Sequence, residues 1–243
     1  MARKVSLQLY SLGDIFWNDP LGTLDKVVEM GYTGVEFPGV PDKDREQILA
    51  KLKETGLRTI SAHIGLEILE DDEKLKDVAE FLVAAGAKYI ACPYTPVDNC
   101  ADAAELGKRL TAIGAKCKEL GLTLTYHNHA NEFTMDNGKY AIDALFENAD
   151  SSLLLQQPDI FWVAYAGADV MDYLAKHIDR IPMVHLKQIE NMETKKNVNA
   201  GDGILDFKKI MDMYPDVEYI YEQEEFDGDR LDCAEKSIRA MLD

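Results

Sequence analysis

A chain of 243 residues, 47% of them apolar, can bury a sizeable core, as one large barrel or as two small domains. Its 26 basic and 44 acidic residues give a formal net charge of −18, which opposes approach to nucleic acid or to an anionic membrane surface. Cys92, Cys100, Cys117 and Cys233 show no CxxC spacing, no apolar run nears the roughly 20 residues of a membrane span, and no cleavable signal pattern opens the chain, so a reducing cytoplasm is expected.

Val5–Leu12 reads as a first strand, followed by a helical pattern over Leu21–Met30 that stops at Gly31. Gly34–Phe37 is the second strand, Arg45–Thr55 a helix ending at Gly56, and Arg58–Ala62 the third strand. The same alternation continues through helix Leu75–Ala85, strand Tyr89–Pro93, helix Ala103–Leu120 and strand Leu122–Asn128. Helix Tyr140–Asn148, strand Leu153–Gln157, helix Val170–His177 and strand Pro182–Leu186 come next. Helix Leu205–Met213, strand Val217–Glu222 and a closing helix over Asp229–Leu242 complete the chain. About eight strand–helix units in strict alternation require parallel strands with helical crossovers. That count in a chain of this length predicts one (β/α)₈ barrel domain spanning residues 1–243. A doubly wound open sheet fits less well, because no GxGxxG opens a helix after the first strand.

In such a barrel the chemistry collects at the C-terminal ends of the strands. His63 follows the third strand, His127 and His129 end the fifth and His185 ends the seventh, which leaves only His177 on a helix. Glu36 closes the second strand, Glu132 follows the fifth, Asp159 closes the sixth, and Glu222 and Glu224 close the eighth. A lone strand histidine is more often a satisfied core group than a ligand, but four on one rim point to a site. Glu222 directly follows the apolar run Tyr219-Ile220-Tyr221 and is preferred to Glu224, Glu225 and Asp227, which read as a solvated face. Lys187, two residues beyond His185, keeps the same strand face and reads equally well as a lysine snorkelling from the rim or as a substrate-facing ammonium. Phe16, Trp17 and Trp162 follow strands and read equally well as core or as sugar-stacking platforms. A mixed Asp, His and Glu set suits one divalent ion such as Mn²⁺, Zn²⁺, Co²⁺ or Fe²⁺, with Mg²⁺ less well matched.

The stretches YHNHANEF (Tyr126–Phe133), PDIFWVAYAG (Pro158–Gly167), RIPMVHLKQ (Arg180–Gln188), GDGILDF (Gly201–Phe207) and YEQEEF (Tyr221–Phe226) resemble the sugar phosphate isomerase/epimerase family, the xylose isomerase-like TIM barrels, in its HNHxxEF branch. VSLQLYSL and GYTGVEF are similar to the same family. The resemblance implies a divalent metal held from strands five to eight, usually by Glu, Asp, His and Glu. The last three fall on Asp159, His185 and Glu222. On strand five this chain has His127 where the epimerases have a glutamate, and Glu132, His127 and His129 all stand as candidates for the fourth ligand. Trp162 and Asn191 fall where those epimerases carry a second His and an Arg around the substrate.

The implied chemistry is proton abstraction next to a carbonyl through an enediolate, by a metal-dependent sugar isomerase or epimerase. Glu222, Glu132, His127 and His129 would move protons, while His63, Lys187, Trp162 and Glu36 would hold the substrate. No arginine cluster or Gly-rich loop calls for a phosphate, so an unphosphorylated sugar or keto-sugar is the expected partner, with self-association into a homo-oligomer compatible with the sequence. The alternative on the same metal site is a lyase or dehydratase of a keto-cyclitol or 3-keto-glycoside. A silent sugar-binding barrel or an endonuclease fits less well, the latter because of the charge.

Overall fold

In the computed structural model, which describes residues 3–242, eight short strands run parallel. They are β1 Val5–Gln8, β2 Gly34–Phe37, β3 Arg58–Ala62, β4 Tyr89–Cys92, β5 Thr123–His127, β6 Leu154–Gln157, β7 Met183–Leu186 and β8 Glu218–Tyr221. Pairing sets β3, β2, β1, β8 and β7 side by side in one group and β4, β5 and β6 in another. Single bridges close the ring: His63 with Ala91 joins β3 to β4, and Asp159 with His185 joins β6 to β7. The result is the (β/α)₈ barrel expected from the alternation. Both seams fall on residues whose side chains carry the candidate chemistry.

The crossover helices begin where the chain offers a capping side chain. Asp19, Asp71, Asn99, Asp169 and Asp206 each accept a hydrogen bond from an amide in the first turn of the helices Pro20–Met30, Asp72–Ala84, Cys100–Glu119, Val170–His177 and Phe207–Met213. Each such cap is worth about 1 kcal/mol. The first strand is shorter than the sequence pattern suggests. Gln8 turns its side-chain oxygen onto the Tyr10 amide at 3.1 Å, and Leu9–Leu12 winds into a 3₁₀ turn instead. Two short hairpins, Met135–Asp136 with Lys139–Tyr140 and Gln188–Ile189 with Asn197–Val198, decorate the loops after β5 and β7 and were not anticipated. No helix among the described residues is long and apolar enough to cross a membrane.

The barrel interior grades from apolar to polar along the strands. Ile60 on β3 clusters with Met183 on β7 and Ile220 on β8, neither of which neighbours β3, so the three meet across the interior as its floor. The two-residue period of a strand then sets His185 and Lys187 above Met183, and Glu222 and Glu224 above Ile220. Around the ring Gln8, Glu36 and Gln157 occupy a buried polar layer beneath the strand ends. Gly34 makes that layer possible on β2, since a Cβ there would lie 2.7 Å from both the Arg58 carbonyl and Ser6 Oγ.

Candidate metal centre and active site

Four side chains from consecutive strands converge above this layer. His127, Asp159, His185 and Glu222 are all buried, and each offers a donor atom within 4.8 Å of the others. His185 Nδ1 lies 2.8 Å from Glu222 Oε2, while His127 Nε2 stands 3.9 Å from Asp159 Oδ2. The second separation is too long for a hydrogen bond and suits two donors that share an ion at about 2.0–2.2 Å from each. Asp159 is divided between two tasks. Its Oδ1 accepts the Phe161 amide at 2.8 Å and so caps the helix Ile160–Tyr165, whereas Oδ2 is buried with no hydrogen-bond partner. An unpartnered buried carboxylate oxygen among two imidazoles and a second carboxylate fits a divalent ion of intermediate hardness.

Positioning comes from neighbouring amides. Asn128 grips the Asp159 backbone, accepting its N–H at 3.2 Å and donating to its carbonyl at 3.4 Å. His63 stacks on His185 with ring centroids 5.2 Å apart and 17° between planes, and both rings lie 4.5 Å from that of His127. His129 lies 5.2 Å from His127 on one side and from Trp162 on the other. Lys187 Nζ is buried, 2.7 Å from Glu224 Oε1 and 4.0 Å from Asp159 Oδ2, with the Trp162 ring at 4.8 Å.

The electrostatics follow from burial and from this arrangement. Burial, then the imidazoles of His185, His63 and His129 and the Lys187 charge, holds His127 well below the ordinary imidazole range, so it stays neutral with a lone pair to give. Burial likewise lowers His129 to about 4. Burial lifts Asp159 to about 7 against the pull of Lys187. Glu222 is also buried, yet Lys187 and His185 outweigh that cost and hold it at about 2. Burial opposes the Lys187 charge, but Glu222, Asp159 and Glu224 raise its pKa above the usual lysine value.

The structure therefore brings together Asp159, His185, Glu222, His127, His129, His63, Lys187 and Trp162 at the barrel mouth. Two candidates lie elsewhere. Glu132 does not join the ligand group, because its carboxylate is turned to Tyr126 Oη, which donates at 2.6 Å, and to the His129 amide, which donates at 3.0 Å. It ties down the loop after β5, and the imidazole of His127 stands with the other three candidate ligands in its place. Glu36 is not on the substrate side either, being fully buried beneath His185 with both oxygens engaged. Glu224 is exposed, as the solvated-face reading has it, and also pairs with the Lys187 ammonium. Gln8, Ser61, Gln157 and Asn128 contribute to the site without having been assigned a role from sequence. For Gln157 and Ser61 the signal was period-two spacing with Asp159 and His63, whereas Asn128, one residue from His127, carried no such signal.

The profile of the xylose isomerase-like TIM barrel family matches residues 24–241. Among curated relatives, an inosose dehydratase from Geobacillus kaustophilus is 27% identical over 247 residues, covering 86% of this chain and 79% of that protein. An inosose dehydratase from Clostridium perfringens is 27% identical over 256 residues, covering 86% of each. Among solved structures, a sugar phosphate isomerase/epimerase from Parabacteroides distasonis superposes with a TM-score of 0.83 at 21% identity, over 100% of this chain and 96% of that one. The 3-keto-D-glucoside 4-epimerase from E. coli gives a TM-score of 0.74 at 18% identity, over 98% of each chain. With the family profile spanning nearly the whole barrel, this chain belongs to the xylose isomerase-like TIM barrel family.

Proposed function

We propose that the protein is a metal-dependent lyase that removes water from a keto-cyclitol or a related keto-sugar. The sequence reading put a sugar isomerase or epimerase first and this lyase second, on one and the same metal site. Relatives named inosose dehydratase favour the second reading, and so does the asymmetry of the site. Epimerisation exchanges a proton between the two faces of one carbon and calls for two matched bases. Elimination calls for a base at one carbon and an acid at the next. Here the carboxylate of Glu222 and the buried ammonium of Lys187 share one rim, and strand five supplies the imidazole of His127 where a second base would be needed. Lys187 is the observation that carries the reading.

His127, Asp159, His185 and Glu222 would hold the ion, which when bound supplies a Lewis acid for the negative charge that develops on the substrate carbonyl oxygen. Glu222 Oε1, left free while Oε2 meets His185, takes the proton from the carbon beside the carbonyl. Lys187 Nζ gives a proton to the departing hydroxyl, so that the C–H and C–O bonds break, a C=C bond forms and water leaves. Glu224, paired with Lys187 and 34% exposed, reprotonates it from solvent. The rings of Trp162 and His129 wall the cleft beside Lys187.

The test is incubation of Mn²⁺-loaded protein with an inosose in D₂O, followed by NMR and ultraviolet absorbance. Net loss of water with appearance of an unsaturated ketone is expected. Solvent deuterium entering the substrate without loss of water would replace this reading with the isomerase.

A further inference from the structure

Glu36 is the most heavily bonded side chain in the barrel, and no step above uses it. Its Oε2 accepts from Gln8 Nε2 at 2.7 Å and from His185 Nε2 at 2.6 Å, with His63 Nε2 at 3.2 Å. Its Oε1 accepts from Gln157 Nε2 at 2.6 Å and from Ser61 Oγ. A carboxylate has about four acceptor positions. Five donors from four strands, with Ser61 and His63 both at the end of β3, exhaust them, and none is left for a substrate.

The consequence lies one ring away. An imidazole has two nitrogens, and a proton fixed on one leaves the lone pair of the other for a ligand. His185 Nε2 is directed down onto Glu36, and Nδ1 is directed up toward Glu222 and the ligand group. We propose that Glu36 is a positioning residue of the metal centre: it accepts the Nε2–H of His185 and so presents the Nδ1 lone pair to a divalent ion shared with His127, Asp159 and Glu222. A carboxylate behind a ligating histidine orients the ring and raises its donor strength, and loss of such a partner typically weakens metal binding by about 10- to 100-fold. The remaining partners of Glu36 give the arrangement its rigidity. Gln8, Ser61 and Gln157 all donate to it, so the carboxylate cannot turn away from His185 without breaking bonds to three other side chains. The proposal rests on the metal-centre reading.

Glu36→Gln tests it without emptying the space. However the new amide turns, its NH₂ meets donors, either Ser61 and Gln157 or Gln8 and His185. Mn²⁺ or Zn²⁺ affinity is measured at one pH by competition with a chromophoric chelator. The dissociation constant should rise 10- to 100-fold in E36Q, while Gln8→Ala, which leaves the Glu36–His185 bond in place, should shift it only a few-fold. In a His185→Gln background E36Q should add no further loss, because its effect passes through His185. Equal affinities for E36Q and the unsubstituted protein, or equal losses in E36Q and Q8A, would overturn the proposal. Should E36Q not fold, ¹⁵N NMR of the unsubstituted Zn²⁺-loaded protein decides: a protonated Nε2 on His185 is expected, and a protonated Nδ1 overturns it. Failure of the unsubstituted protein to bind metal would remove the metal-centre reading together with this one, whereas uptake that E36Q leaves intact removes this one alone.

Discussion

Replacing Glu132 by Gln separates a loop anchor from a metal ligand. Glu132 is fully buried, and burial pushes its carboxyl up to about 7 in spite of the bonds from Tyr126 and His129. Against an unfolded value near 4.5, ionisation inside the fold costs about 3 kcal/mol at 1.36 kcal/mol per pH unit. The folded chain binds the proton more tightly than the unfolded chain does. This contribution to stability is therefore fully present below pH 4.5 and is lost as pH rises through 7. A glutamine cannot ionise, but it offers only one acceptor where the carboxylate serves two donors. Losing that bond costs about 1–3 kcal/mol.

E132Q should therefore be the less stable protein at pH 5 and should draw level with the unsubstituted protein, or overtake it, by pH 8. The assay is urea unfolding of both proteins between pH 5 and 8 in the presence of chelator, read as the difference between them so that protons bound elsewhere cancel. The difference should change by about 2.5 kcal/mol across that range. Parallel stability profiles would refute the assignment of the proton to Glu132. Stoichiometric Mn²⁺ uptake should survive in E132Q, and its loss would return Glu132 to the ligand set.

Asp159→Ala should abolish tight metal binding and, with it, the stabilisation of about 2.7 kcal/mol that metal at one hundred times its dissociation constant confers, so that added Mn²⁺ no longer raises the melting temperature. Lys187→Met should keep metal affinity within a few-fold but lower the rate of water loss by at least about 100-fold, the usual contribution of a positioned acid; an unchanged kcat would remove the ammonium from the mechanism. Gly203→Ala puts a Cβ 2.2 Å from the Ile189 carbonyl oxygen and should cost about 1–3 kcal/mol in urea unfolding while leaving metal uptake intact once folded.

The strict alternation of short apolar runs with helices that stop at glycines made the barrel legible, because parallel strands with helical crossovers leave few other ways to arrange such a chain. His185 and Glu222 are each the first polar residue after an apolar run, whereas Asp159 follows Gln156, Gln157 and Pro158; all three lie in the candidate ligand group. The errors share a different cause. A polar residue at a strand end can point up into the mouth, down into the polar layer or sideways into its own loop, and all three look alike in sequence. Glu36 points down into the polar layer, level with Gln8 across the β1–β2 ladder, and Glu132 turns back on Tyr126 across a 3₁₀ turn over Asn131–Phe133. GDGILDF carries the family resemblance yet makes its contacts to Gln188, whose side chain bonds the Ala200 and Leu205 carbonyls and the Leu205 amide. A motif can thus be diagnostic because it packs a loop.

The two seams of the barrel explain why the candidate site lies where it does. Elsewhere in the ring at least three residue pairs join each two neighbouring strands, with one register shift between β2 and β3, but β3 meets β4 and β6 meets β7 through one bridge each. At those points the sheet no longer dictates every backbone hydrogen bond, and side chains take over. Asn128 satisfies the Asp159 backbone from β5, and the Glu36 layer joins β1, β2, β3, β6 and β7 beneath both gaps. A pair of strands held by one bridge and a polar network can shift its strand ends by small amounts without breaking a ladder. An ion bound by Asp159 on one side of the β6–β7 seam and His185 on the other would pin that gap. Metal loading should then slow amide exchange at His185, whose N–H donates to the Pro158 carbonyl at 2.9 Å, more than at Thr125 within the β5 ladder. Equal protection at the two positions would show that the ion does not span the seam.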